Sequence, residues 1–397
     1  MTAPPLDALL TAAGEASAVA GAPDDPATPE RAARALWATL AEPGDGVAGA
    51  LVAALGAAES YRRVFVAQDG RAASDAGIAP AELRAGTARW IPRLGEHALA
   101  RTLVGASRCH ARLLTPDSEH WPAGADDLGA HAPLCVWVRG RVPRFDAAQG
   151  AVAVVGARAA TAYGEHVAGE LAAGIAESGA LVVSGGAYGI DGAAHRGALA
   201  VRGSTVAVLA GGADTLYPRG HTDLLERILR DGGALVSEVP CGTAPTRWRF
   251  LARNRLIAAF SAATVVVEAG ARSGSLNTAG HAASIGRPLG AVPGPVTSAA
   301  SIGCHRLLRD YDARCVTSAA EALELIGRGE PEPLDLGEWT GDRTRLRDAL
   351  SRTTFREPGQ VAARSGMAIS EVEALLGALL LEGAVEHGAA GWRLRSG

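Results

Sequence analysis

The sequence contains no lysine, so all 38 of its basic side chains are arginine. A P-loop, whose lysine reaches the phosphates of a bound nucleotide, is therefore excluded. Arginine offers instead a fixed planar fork that matches phosphate and carboxylate, although a GC-rich genome produces the same bias. Cysteine is scarce: Cys109, Cys135, Cys241, Cys304 and Cys315 are scattered, odd in number and form no C-x-x-C pair. That pattern argues against a zinc site and for a reducing compartment. No apolar run approaches the length of a membrane span, and the N-terminus lacks the basic residues and apolar core of a signal peptide, its first arginine being Arg31. The expectation is a cytoplasmic protein with no membrane partner. An excess of positive charge is missing as well. With 42 acidic residues the net charge is −4, which excludes a protein that coats nucleic acid by bulk charge, and the 48% hydrophobic content excludes a mostly disordered chain.

What is there is glycine, 50 residues of it, in a chain of 397 residues, long enough for two or three domains at roughly 100–200 residues each. Residues 1–28 have no sustained period and read as a flexible terminus. Residues 29–100 read as a small helical domain with Leu36, Leu40, Val47, Leu51, Leu55 and Val64 as apolar positions, broken at Pro43–Gly46 and Gly56. A strand is expected at Leu134–Val138. From Ala151 to about Ile326 the chain repeats a short β-branched run, a Gly-rich corner and an amphipathic segment. Strands are expected at Ala151–Val155, Leu181–Val183, Thr205–Leu209, Leu235–Val236, Thr264–Val267 and Leu289–Val292, and continuous apolar runs of this kind mark strands buried on both faces of a parallel sheet. Helices over Glu165–Ser178, Leu224–Asp231 and Asn277–Ile285 complete a doubly wound, Rossmann-like α/β sheet over 101–328. A turn-rich linker (329–341) precedes residues 342–397, which read as three helices and a hairpin around Val385 and Trp392: a winged helix, or a protein-contact module of that shape. Ser370 with Glu373 suggests a capping box for the third of these helices. That helix carries Glu371, Glu373 and Glu382 and no arginine, a composition that phosphates repel.

Ligands of an open α/β sheet bind at the carboxyl ends of its strands. Four corners there are unusual: Gly156-Ala157-Arg158 with Thr161 and Gly164; Ser184 to His195; Ala210-Gly211-Gly212 with Tyr217-Pro218-Arg219; and Glu268 to Ser275. Small residues permit close backbone approach, and a helix N-terminus favours an anion. A dinucleotide fits poorly, because no G-x-G-x-x-G follows the first strand and Ser184-Gly185 stands where an acid would hold a ribose. Charge points elsewhere. Between Pro245 and Asp310 eight arginines face two acids, a local charge of +6 that leaves −10 for the rest. Within Thr246–Arg255, arginines alternate with Trp248 and Phe250, the pairing a single strand needs: cations for phosphates, a ring face for a base.

The same residues, with Tyr163-Gly164, Ser237-Glu238, Arg253-Asn254-Arg255, Ser273-Gly274-Ser275, Thr278-Ala279 and Val292-Pro293-Gly294-Pro295, resemble in order and spacing the DNA-processing protein A (DprA/Smf) family over roughly residues 105–325. The resemblance implies a non-catalytic protein without cofactor or metal that binds single-stranded DNA, helps load the recombinase RecA during transformation or recombination, and forms homodimers. It extends to a SAM-like (helix-hairpin-helix) N-terminal domain and a winged helix at the C-terminus. DNA and phosphate contacts would then fall on Gly156, Ala157, Arg158, Ser184, Gly185, Arg219, Phe250, Arg253, Asn254, Arg255, Ser273 and Gly274. The chain departs from the family pattern at Ala157, Gly186, Tyr188, Leu251 and Asn277. The competing reading is an enzyme, a nucleotide phosphoribohydrolase using Asp191, His195, Glu238 and Glu268 as acids and bases, but its P-G-G-x-G-T signature is absent. A nucleotide carrier without turnover is the third.

Overall fold

The computed structural model describes residues 4–9, 11, 28–95, 97–142, 144–145, 150–329 and 341–395. Most of the stretch 1–28, and residues 330–340 of the linker expected at 329–341, lie outside these. Two compact units divide the chain, Met1–Glu330 and Pro331–Gly397.

The first unit opens with helices α1 (Pro29–Leu40), α2 (Gly46–Leu55), α3 (Ala57–Tyr61), α4 (Ala72–Asp75), α5 (Pro80–Trp90) and α6 (Ala98–Arg108). The chain breaks at Pro43–Gly46 and at Gly56, separating α1, α2 and α3. Asp45 caps α2, one carboxylate oxygen accepting from the Val47 and Ala48 N–H groups, while its other oxygen accepts from Trp90 Nε1 at 3.0 Å and so ties α5 to α2. Trp37 and Trp90 meet edge to face with ring centroids 5.0 Å apart. Their core runs on to Trp137, a residue of the neighbouring sheet, so these helices share an apolar core with the rest of the unit.

Nine strands form that sheet: β1 (Ala111–Leu114), β2 (Val136–Gly140), β3 (Ala151–Val155), β4 (Leu181–Ser184), β5 (Thr205–Leu209), β6 (Ala234–Ser237), β7 (Ala263–Val266), β8 (Leu289–Ala291) and β9 (Arg314–Cys315), in the order β1-β2-β6-β5-β4-β3-β7-β8-β9. The β1–β2 and β2–β6 pairs are antiparallel and all others parallel. Helices α7 (Ala162–Glu177), α8 (Ile190–Ala200), α9 (Thr222–Arg230), α10 (Arg247–Ala259), α11 (Ser275–Ser284), α12 (Ile302–Asp310) and α13 (Ala319–Glu324) cover its faces. Strand β3 shows why its sequence is apolar throughout. Ala151, Ala153 and Val155 pack with Leu256 and Ile257 of α10, whereas Val152 and Val154 pack with Leu171 and Ile175 of α7.

From β3 the strands step outward through β4 and β5 to β6, and α10 then returns the chain across to β7 on the other side of β3. Strand order reverses at that point, and there the loops leaving β3 and β7 part to open a crevice. The sequence carries no signal for β1 or β9, because four and two residues are too short to show a period. The expected strand at Leu134–Val138 is observed two residues later, running antiparallel to β6.

The second unit holds α14 (Asp342–Ala349), α15 (Pro358–Ser365), α16 (Ile369–Leu381) and the antiparallel pair β10 (Val385–Gly388) and β11 (Gly391–Leu394) around Leu346, Val361, Val372, Leu376 and Leu379. The capping box at Ser370 and Glu373 is corrected: α16 starts earlier, and Glu371 accepts from the Ala368 N–H at 3.0 Å. No described helix is long and apolar enough to cross a membrane.

Candidate nucleic-acid interface

An open cleft of about 940 Å³ lies where the strand order reverses. Its walls are the corner after β3 (Gly156 to Ala159), Ala187 and Asp191 beyond β4, the first two turns of α10, and Gly270 to Ser275 beyond β7. Thr246 starts α10 by accepting from the Arg249 N–H at 3.3 Å. Helical spacing then sends Arg247, Phe250, Leu251 and Asn254 toward the cleft, while Leu256 and Ile257 go to the core.

Arg253 is the cation beneath the cleft. Its Nη1 donates to the Val208 carbonyl at 2.6 Å, and its Nε is buried without a partner. The guanidinium lies against Gly185, where an added Cβ would come within 1.8 Å of Nη1, so glycine at 185 is what admits the side chain. Burial lowers its pKa to about 10, opposed by the nearby Asp191 carboxylate and reinforced by Arg158, so Arg253 remains charged near neutrality. Burial raises the Asp191 pKa against the pull of Arg253. Asp191 accepts from the Gly185 and Ala187 N–H groups at 3.1 and 3.4 Å and thereby fixes the corner after β4.

Above this layer Arg158 lies 4.8 Å over the Phe250 ring, with Tyr217 tilted against the same ring at 5.7 Å. Phe250 therefore packs against both Arg158 and Tyr217 at the mouth of the cleft. Exposed rings include Tyr217, which lines the cleft, and, beside lining residues, Tyr188 and Trp248, the last 60% exposed. Asn254 donates to the Gly274 carbonyl at 3.3 Å and to Asn277 Oδ1 at 3.2 Å, linking α10 to the start of α11. Ser273 and Ser275 share a hydroxyl hydrogen bond of 2.7 Å, and Gly274 is exposed at the N-terminus of α11. Arg219 is exposed beyond the Tyr217–Pro218 cis bond. It sits on the turn whose Gly220 N–H donates to the Tyr188 hydroxyl at 3.2 Å.

Several expected contacts are spoken for inside the protein. Arg255 forms a bidentate pair with Glu238 at 2.7 and 2.6 Å and donates to the His131 carbonyl, with a side chain only 6% exposed, so it does not face the cleft. The buried Ser184 hydroxyl donates to the Val154 carbonyl at 2.7 Å. The Ala157 N–H donates to the Glu268 carbonyl at 2.7 Å, and a Cβ at Gly156 would strike Ile190, so both residues serve packing. The Gly211-Gly212 corner turns away as well: the Gly212 N–H donates to Thr243 in the loop leading to α10. The basic segment 245–310 is correspondingly less free than its count suggests. Arg249 pairs with Glu42, Arg255 with Glu238, Arg287 with Asp127, and Arg306 and Arg309 with Asp310.

Among the described residues, Arg158, Arg247 and Arg272 line the cleft without any carboxylate partner, and Arg219 stands nearby in the same condition. The sequence offered Arg247 and Arg272 as members of the basic segment, but nothing in it separated them from their paired neighbours. The four acid–base candidates of the enzyme reading are engaged within the fold. Glu238 holds Arg255; Glu268 accepts from the Thr161 N–H and hydroxyl; Asp191 fixes its corner. His195 is buried beside Thr205 with its pKa lowered to about 3 by burial.

Comparison with known proteins follows the same geometry. The family profile described as DNA recombination-mediator protein A matches residues 112–327. A protein of Mycobacterium tuberculosis (strain ATCC 25618 / H37Rv) that carries the DprA name is 43% identical over 394 residues, covering 93% of this chain and 96% of its own. Protein Smf of Escherichia coli (strain K12) is 41% identical over 221 residues, covering 55% of this chain and 57% of its own. Among solved structures, DNA processing protein A of Streptococcus pneumoniae is similar with a TM-score of 0.57 and 28% identity, over 73% of this chain and 95% of that one.

Proposed function

The chain belongs to the DNA-processing protein A (DprA/Smf) family, and from that premise we propose that it binds single-stranded DNA in the cleft between the corners after β3 and β7 and hands the strand to the recombinase RecA. The observation that carries this reading is the group of carboxylate-free cations, Arg158, Arg247 and Arg272, around a cleft whose floor holds the buried charge of Arg253. A strand following them meets phosphate-matching forks on both walls and the N-terminus of α11 at one end. Exposed Tyr217 and Trp248 supply ring faces for unpaired bases, each stacked base contributing about 1–3 kcal/mol, which favours single strands over duplex. Arg219, Ser273, Gly274 and Asn254 belong to the same surface in this reading, the last through its hold on α11.

The recombination-mediator description of the matching family supports RecA as partner, and a homodimer is proposed with it as the working form. The first unit would comprise the SAM-like helices and the Rossmann-like DNA-binding layer, and the second a winged helix whose acidic α16 is better suited to protein than to phosphate. No catalytic step and no cofactor is proposed.

The test is fluorescence anisotropy with labelled oligonucleotides, single-stranded and duplex. Wild type should prefer the single strand, Trp248→Ala should weaken that binding, and Arg158→Ala should reduce both affinity and the stimulation of RecA ATPase on single-stranded DNA. Equal affinity for duplex, or full RecA stimulation by an Arg158→Ala protein that no longer binds, would overturn it.

A further inference from the structure

Away from the cleft, Cys109 and Cys241 face each other with their sulfurs 3.3 Å apart. Cys109 closes α6, and Cys241 stands in the loop between β6 and α10. We propose that these two thiols are a reversible disulfide site, oxidised by a peroxide, that fastens α6 to the loop leading into α10.

Three features of the fold support this. The sulfurs need approach only from 3.3 Å to the bond length of about 2.05 Å. The backbone that carries Cys241 is already pinned, since the Gly242 N–H donates to both Asp214 carboxylate oxygens at 2.9 Å. Gly105 stands one turn before Cys109, and a Cβ there would lie 3.1 Å from the Cys241 Cβ, so the absence of a side chain is what lets Cys241 lie against α6. Access is provided by an open cavity of about 630 Å³ lined by both cysteines and by Arg101, Arg108 and Arg249. The hydrogen bond from Cys241 draws the Cys109 pKa down and that of Cys241 is raised in exchange, so Cys109 is the thiol that ionises first. The remaining thiols differ: burial pushes Cys304 up to about 12 and Cys135 higher still, and Cys315 is exposed on the short edge strand β9.

The chemistry balances with hydrogen peroxide as the two-electron oxidant. The Cys109 thiolate attacks one peroxide oxygen, breaking the O–O bond, forming a sulfenic acid and releasing hydroxide. The Cys241 thiol then attacks the sulfenic sulfur, forming the S–S bond and expelling a second hydroxide; the Cys241 thiol proton and the proton Cys109 released on ionising turn the two hydroxides into two waters. A dithiol reductant reverses the step.

The test treats the full chain carrying Cys315→Ser with hydrogen peroxide, then counts thiols and maps tryptic peptides. The expected result is the loss of two thiols and a linked pair joining Cys109–Arg112 to Asp231–Arg247, restored by dithiothreitol, with a higher unfolding temperature for the oxidised form. Cys109→Ser and Cys241→Ser should each abolish the linkage, and Gly105→Val, with its native circular dichroism retained, should slow it. An unchanged thiol count in folded protein, a linkage that appears only in denaturant, or a wild-type rate in Gly105→Val would overturn the proposal. None of these readouts involves DNA, so the outcome is independent of the function proposed above.

Discussion

Arginines that look alike in sequence do different work, and substitution separates them. Arg255→Met leaves Glu238 buried without its cation, which should cost about 3–5 kcal/mol and lower the unfolding midpoint, while the salt dependence of DNA binding in the surviving folded protein stays as in wild type. Arg158→Ala should do the reverse. An exposed change of this kind stays within about 0.5 kcal/mol of wild-type stability, but the slope of log K against log salt should fall by about 0.7, the value of one phosphate contact on a single strand. His195 gives a pH signature at the same scale. Its folded pKa of about 3 lies below the unfolded value near 6.5, so between those values the unfolded chain binds a proton that the folded chain does not. Stability should be full above pH 6.5 and decline on acidification by up to about 1.4 kcal/mol per unit. Urea midpoints across that window should show this component in wild type and lack it in His195→Gln.

At the scale of elements, legibility followed burial. Strands β3 and β5 could be read to the residue, because both faces are covered and every position is buried. Helix α10 showed itself only as a charge-rich cluster. It carries no apolar stripe in its first half, since Arg247, Phe250 and Asn254 turn to the cleft, Arg249 to Glu42 and Arg253 under Gly185. For the same reason the sequence could not sort phosphate-facing arginines from paired ones: Glu42 is 207 residues from its partner Arg249, a separation that no local pattern spans. The glycine-rich corners were legible as corners but not in purpose, for Gly156 and Gly185 make room for Ile190 and Arg253. Gly185→Ala tests this directly. Overpacking should cost about 1–3 kcal/mol by thermal unfolding, and displacement of Arg253 should weaken single-strand binding; a Gly185→Ala protein of wild-type stability and affinity would contradict the close approach.

For the whole molecule, the division at residue 330 predicts that a chain ending there keeps its own core. Residues 1–330 should unfold cooperatively at the midpoint of the corresponding transition in the full chain and bind single-stranded DNA with the same salt slope, because every residue assigned to the cleft lies within them. Loss of RecA stimulation on this truncation, with DNA binding intact, would place the partner surface on the second unit. A net charge of −4 is compatible with DNA binding on this account because most arginines of the basic segment are paired and the few free ones are gathered at one end of the sheet. The most direct measurement is the salt dependence of single-strand affinity for wild type and for the triple variant Arg158→Ala, Arg247→Ala, Arg272→Ala. In the variant the log–log slope should be smaller by about 2, with native circular dichroism and unfolding midpoint. An unchanged slope in a folded triple variant would contradict it.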